Sequence, residues 1–248
     1  MVGIVGGVGP LAGLDVLTKI IEETKARSDH EHIPVVLSSQ PQRIADRTAY
    51  LLGQTTQNPA RGIVEIIRQL ESIGATVVAI PCHAAHAPQI FNIILEELER
   101  VNSQVKILHM IQETVKFIKE HLSHTKIGVL SATGTGSIDH FASLFQQYDL
   151  TAITPSIELQ ERVQACIYDT TYGIKAVSSP VSNRARQELL TFITQLKKDG
   201  AQAVILGEVE FPLAIHDKES AGIPIIDPNR VLARALINAI EPDKLREI

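Results

Sequence analysis

Two positions in this chain stand where a reactive side chain is useful. Residues 74–82 (GATVVAIPC) run apolar up to Cys82, and residues 200–208 (GAQAVILGE) repeat the pattern 126 residues later, up to Glu208. Each group falls just past a buried β-type run, and functional residues collect at the carboxyl ends of strands in α/β sheets. A thiol and a carboxylate facing one carbon could take a proton from one side and return it to the other. Each also has an inert reading. Cys82 could be a small buried hydrophobe, and Glu208 a carboxylate held by local hydrogen bonds. The pair is unequal as a pair of bases. A thiol titrates near 8.5 and needs electropositive help to ionise at neutral pH, whereas a carboxylate near 4.3 is a poor base unless desolvated.

His83 and His86 follow Cys82 at a spacing that lets both face one way at a helix start. One cysteine and two histidines so close together make a poor tetrahedral zinc set, so no metal is expected. His83 is the candidate titratable donor beside Cys82, and His86 the candidate cap or packing residue. Arg47, after Asp46, could fork onto a carboxylate or be a solvated charge, and Lys175 offers the same choice. The run Gly6-Gly7-Val8-Gly9 opens a helix after a strand, but it is not G-x-G-x-x-G and no Walker lysine follows. Close backbone approach explains it better than phosphate binding. Cys166 lies in an apolar helical pattern and reads as core. His109 ends a strand, where it reaches the ligand site or merely terminates the strand.

The elements that must position these groups alternate. Residues 2–5, 35–38, 76–80, 105–108, 127–130, 203–206 and 223–226 read as strands covered on both faces. Residues 11–25, 60–73 and 183–198 carry apolar positions at helical spacing, with Gly74 and Gly200 where C-cap glycines belong. Residues 3–9 also align with residues 128–134, at an offset of 125. Two matches at nearly one offset indicate two similar α/β halves of roughly 110 residues with mostly parallel sheets. A pocket between the carboxyl ends of their strands is the expected ligand site.

Composition excludes other classes. The chain has 248 residues, 44% hydrophobic and 21% charged, with 23 Lys+Arg against 28 Asp+Glu and a net charge of -5. Nothing here draws nucleic acid or an anionic membrane, and no apolar run spans a bilayer. The N-terminus lacks a basic region ahead of its apolar residues, so a cytoplasmic protein is expected. Two cysteines make neither a disulfide scaffold nor a four-cysteine zinc site.

Seven short motifs, in order, resemble the aspartate/glutamate racemase superfamily, and its aspartate racemase branch in particular. GGVGPLAG (6–13) is similar to the family's GGMGPLAT, DHEHIPV (29–35) to DQEHIPV, and ADRTAYLLG (45–53) to PDRTAYILG. PCHAAH (81–86) is similar to PCNTAH, HMIQET (109–114) to SMIEET, LGEVEFPL (206–213) to a GCTE-containing segment, and IPIIDP (223–228) to IPLIDP. The resemblance implies cofactor-independent two-base chemistry at the α-carbon of an acidic amino acid, with one cysteine in each half. Cys82 keeps the first cysteine position and Glu208 takes the second. The threonines after the two cysteines are replaced by Ala84 and Val209, and the asparagine after the first by His83. The loop at residues 39–43 (SQPQR) is altered as well.

The resemblance therefore implies catalysis by Cys82 and Glu208. It implies substrate binding by Gly7, Gln40, Arg47, His83, Ala84, Lys175 and Val209, with Arg47 and Lys175 on the distal carboxylate. No metal or cofactor is implied, the partner is a small carboxylate or acidic amino acid, and a homodimer is expected. The implied fold is two Rossmann-like (flavodoxin-like) domains related by a pseudo-two-fold around a cleft, residues 1–109 with 218–248 and residues 110–217. The rival expectations are a one-cysteine isomerase or decarboxylase of a related diacid, and a non-catalytic binding relative.

Overall fold

The alternation of apolar runs and amphipathic stretches produces two α/β units in the computed structural model, which describes residues 1–132 and 137–248. The first unit is Met1–Glu113 with Asn229–Ile248, and the second is Thr114–Pro228.

In chain order the first unit holds β1 (Val2–Gly6), α1 (Pro10–Glu23), β2 (Val35–Ser39), α2 (Arg47–Leu51), α3 (Ala60–Ser72), β3 (Val77–Ala79), α4 (Pro88–Arg100) and β4 (Lys106–Leu108). Its sheet has the order β2-β1-β3-β4, all parallel. Covering on both faces is why the central strands β1 and β3 read as unbroken apolar runs, with every residue buried, whereas the edge strands β2 and β4 are only partly buried. Helix α3 shows the complementary pattern, burying Ile63, Ile66, Ile67 and Leu70 along one stripe. Strand β3 ends at Ala79, short of the expected Ile80. Pro81 has no N–H for a ladder, and the backbone instead turns, with Cys82 N–H donating to the Ile80 carbonyl at 2.8 Å.

Helix α5 (Met110–His121) carries the chain into the second unit. There follow β5 (Lys126–Leu130), α6 (Ser137–Gln147), β6 (Thr151–Ile153), α7 (Ile157–Tyr168), α8 (Asn183–Lys198), β7 (Ala203–Leu206), β8 (Glu219–Ser220) and β9 (Ile223–Ile226). The sheet order is β6-β5-β7-β9-β8, parallel except for β8. Strands β6 and β8 are short edge strands absent from the sequence expectation. The return crossing follows Pro228 rather than the expected Asp217, because β9 pairs with β7 and so extends the second sheet. Helix α9 (Pro228–Ile240) then rejoins the first unit, where Arg230 and Arg234 bind Glu23 of α1.

The internal repeat is visible in packing. A Cβ on Gly3 would meet Ala75 and Val78, each at 3.0 Å; a Cβ on Gly128 would meet Val204 at 2.9 Å and Ala201 at 3.2 Å. These are the same repeat positions in both units. Both halves also end a helix alike. Gly74 and Gly200 have φ of +99° and +102°, and Ala75 and Ala201 return their N–H groups to Leu70 and Leu196 at 3.0 and 2.9 Å. This closure needs a left-handed residue, which glycine adopts without steric cost. The tail of the 128–134 match, Thr133 and Gly134, lies outside the described residues. Among the described residues, no helix is long and apolar enough to cross a membrane.

Candidate active site

Cys82 begins a single 3-10 turn, His83–His86, that leads into α4. Its side chain is almost buried, at 7% exposure. The turn is held by His86, whose Nδ1 lies 2.9 Å from the Cys82 carbonyl oxygen. The Met110 N–H donates to Nε2 of the same ring at 3.2 Å. A nitrogen that accepts carries no hydrogen, so the proton of neutral His86 sits on Nδ1 and is donated to Cys82. Burial, and then the neighbouring His109 and His83, hold the His86 pKa well below the ordinary 6.5. The ring is flanked by His109 at 4.6 Å and Phe91 at 5.2 Å. His109 caps α5, accepting from Gln112 N–H at 3.3 Å, rather than simply ending β4. His86 is thus a neutral strut between the Cys82 turn and the start of α5. It gives the thiol no positive charge.

The other expected residues of the first unit gather around the same sheet end. Helix α2 packs on the His83–His86 turn. Its first residue, Arg47, donates through Nη2 to the Val8 carbonyl, and Asp46 caps the helix through the Ala49 N–H at 2.9 Å. Gly7 has φ of +91°, and a Cβ there would lie 2.7 Å from Pro41 N and 2.9 Å from Gln40 N. The glycine loop therefore approaches the backbone at Gln40, in keeping with the close-approach reading. The Gln40 side chain turns elsewhere, donating to Ser38 Oγ at 2.8 Å and Gln69 Oε1 at 2.6 Å. Its amide N–H pair is thereby spent on protein partners. His83 and Ala84 are both buried beside Cys82.

In the second unit Glu208 follows β7, 7% exposed. Its Oε1 accepts from Ser131 Oγ at 2.6 Å and from Ala132 N–H at 3.0 Å, both at the end of β5. Val209 is also buried. Lys175 pairs with Glu210 at 3.2 Å and lies 4.8 Å above the Tyr168 ring. Ser131, Ala132 and Glu210 touch the candidate residues Glu208 and Lys175, and sequence reasoning passed over them. The repeat offered a signal for the first two, since it aligns them with Gly6 and Gly7 of the glycine loop. Cys166 is core as expected. Burial and the neighbouring Glu188 push its thiol up to about 12. Among the described residues, no group of three His, Cys, Asp or Glu side chains is placed to hold a metal ion.

The Asp/Glu/hydantoin racemase family model matches residues 5–236. The chain belongs to this family. The aspartate racemase of Picrophilus torridus is 26% identical, over 96% of this chain and 93% of that one, with a TM-score of 0.78. An aspartate racemase homologue from Pyrococcus horikoshii is 20% identical over 96% and 97%, with a TM-score of 0.70. An arylmalonate decarboxylase shares the fold at 13% identity over 96% and 91%, with a TM-score of 0.56. Family and fold make this chain a racemase-type isomerase, with the two α/β units expected of such an enzyme.

Proposed function

We propose that this racemase moves a proton at the α-carbon of a small acidic amino acid, with Cys82 and Glu208 as its two acid/base groups. The observation that carries this reading is the placement of Glu208. It stands at the repeat position of Cys82, buried at the carboxyl end of the equivalent strand.

The chemistry balances without a cofactor. The Glu208 carboxylate accepts the α-proton from one face, leaving a carbanion conjugated with the substrate carboxylate. The Cys82 thiol donates its proton to the other face. The enzyme is left as thiolate and carboxylic acid, the form that works on the opposite enantiomer, and solvent exchange restores thiol and carboxylate. Arg47 and Lys175 take the distal carboxylate, while Gly7, His83, Ala84 and Val209 surround the reacting end, and Gln40, its amide held by Ser38 and Gln69, shapes the loop beside Gly7. The same reading includes a cytoplasmic homodimer, for which sedimentation at working concentration is the check of assembly.

The two directions are unequal in a defined way. Enantiomers have equal free energy, so kcat/KM must match for both. The saturating rates need not match, because the two acid/base groups differ in kind. Deuterium wash-in at the α-carbon from each pure enantiomer tests this. Cys82→Ser and Glu208→Gln are each expected to lower exchange by about 10²–10⁴-fold. Full exchange in Glu208→Gln would remove the carboxylate from the reaction.

A second reading is decarboxylation of a related diacid. It is favoured by the single thiol at the strand ends and by the fold shared with an arylmalonate decarboxylase. After loss of CO2 the carbanion needs one proton donor, which Cys82 supplies. Release of CO2 from a substituted malonate, without α-proton exchange of amino acids, selects it.

A further inference from the structure

The two units differ in a second position that accompanies the change from Cys82 to Glu208. Gly6 and Ser131 are equivalent in the repeat, as the last residue of β1 and the first after β5. In the first unit there is no room for a side chain. A Cβ on Gly6 would meet Leu37 Cδ1 at 2.8 Å and the Ser38 carbonyl at 3.1 Å. In the second unit the same place holds a fully buried serine whose hydroxyl reaches Glu208 at 2.6 Å. A hydroxyl donor at that length suits an ionised carboxylate acceptor. With the Ala132 N–H at 3.0 Å, two donors converge on one oxygen and fix the plane of the carboxyl group. Both bonds reward the charged form. Glycine at 131 would remove the hydroxyl and keep the Ala132 N–H bond.

We infer that Ser131 is the positioning residue for Glu208, fixing the carboxylate in its ionised form as the base for one enantiomer. The inference rests on the proposed role of Glu208 in proton transfer. Ser131 touches no reacting atom and acts through Glu208.

The test combines wash-in kinetics with direct titration. Ser131→Ala and Ser131→Gly remove the hydroxyl, with the second available should the first fold poorly, and Ser131→Thr keeps it. For the enantiomer that Glu208 deprotonates, either hydroxyl-free variant moves the acidic limb of the wash-in pH profile up by about one unit. Ser131→Thr keeps the wild-type limb. Carboxyl carbon NMR, with the Glu208 resonance assigned by its loss in Glu208→Gln, shows the same upward move without reference to turnover. An acidic limb and a carboxyl titration unmoved in the hydroxyl-free variants would overturn the inference. A titration that moves while Glu208→Gln still exchanges fully leaves the Ser131 contact standing and overturns the proton-transfer role of Glu208, so the two failures are distinct.

Discussion

His86 holds Cys82 by the backbone rather than by the sulfur. Its Nδ1 meets the Cys82 carbonyl at 2.9 Å, and its Nε2 takes the Met110 N–H at 3.2 Å. A protonated ring would present a second N–H to the Met110 donor and lose that bond. The imidazole is therefore built in as a neutral bridge, with burial as the main reason its pKa is lowered.

This makes stability pH-dependent in a defined direction. The folded pKa of His86 lies below the unfolded value of 6.5, so the unfolded chain binds the proton more readily. Its contribution is complete above about pH 6.5 and is lost as pH falls from there toward the folded pKa, with a slope of at most about 1.4 kcal/mol per pH unit. His140, whose pKa burial also lowers, adds in the same sense. Urea unfolding at pH 7, 6 and 5 is expected to show a steeper loss in the native protein than in His86→Gln, which keeps a donor and an acceptor but does not titrate. Equal slopes would assign the loss to other groups.

The two cysteines differ in environment. Cys166 is fully buried and pushed up to about 12 by burial and Glu188, so it is thiol at any working pH. Cys82 sits at a strand end in the candidate site. A small alkylating reagent at pH 8 is expected to modify one thiol per folded chain and none in Cys82→Ser. Cys166→Ala is expected to leave turnover within about twofold, since it touches nothing proposed to act. Equal labelling of both cysteines in the folded chain would contradict this.

Lys175 is expected to govern substrate affinity rather than the chemical step. It is shared with Glu210 at 3.2 Å, and its side chain is 46% exposed, so water screens the pair. Lys175→Ala is expected to raise KM for an acidic substrate about tenfold with kcat nearly kept. Glu210→Gln removes the carboxylate partner and is expected to lower KM by a few-fold. Steady-state kinetics on one dicarboxylic amino acid separates these outcomes, and a change confined to kcat would place both residues nearer the reaction.

The helix closures predict a stability effect with no contact behind it. Gly200 has φ of +102° and open space where a Cβ would go. Gly200→Ala therefore costs only the left-handed conformation, about 1–2 kcal/mol. Urea unfolding measures it. A neutral substitution would mean that the α8 closure rearranges freely.

The sequence by itself determined the local and repeated features. Strands covered on both faces must be apolar throughout, helices must show a stripe, and a helix closing in the left-handed region selects glycine. These are one-dimensional signals, and they sufficed for the alternating α/β order, for seven of the strands, and for the repeat that pairs Cys82 with Glu208. Tertiary structure decided what each polar group touches. The Ser131 hydroxyl and Glu208 are 77 residues apart and meet only because Leu130 pairs with Leu206 in the β5–β7 register. Lys175 faces Glu210, Gln40 turns to Gln69, and β9 joins the second sheet through β7. Hydrogen bonds act over about 3 Å, so a partner is chosen by three-dimensional register, and spacing along the chain leaves no trace of it.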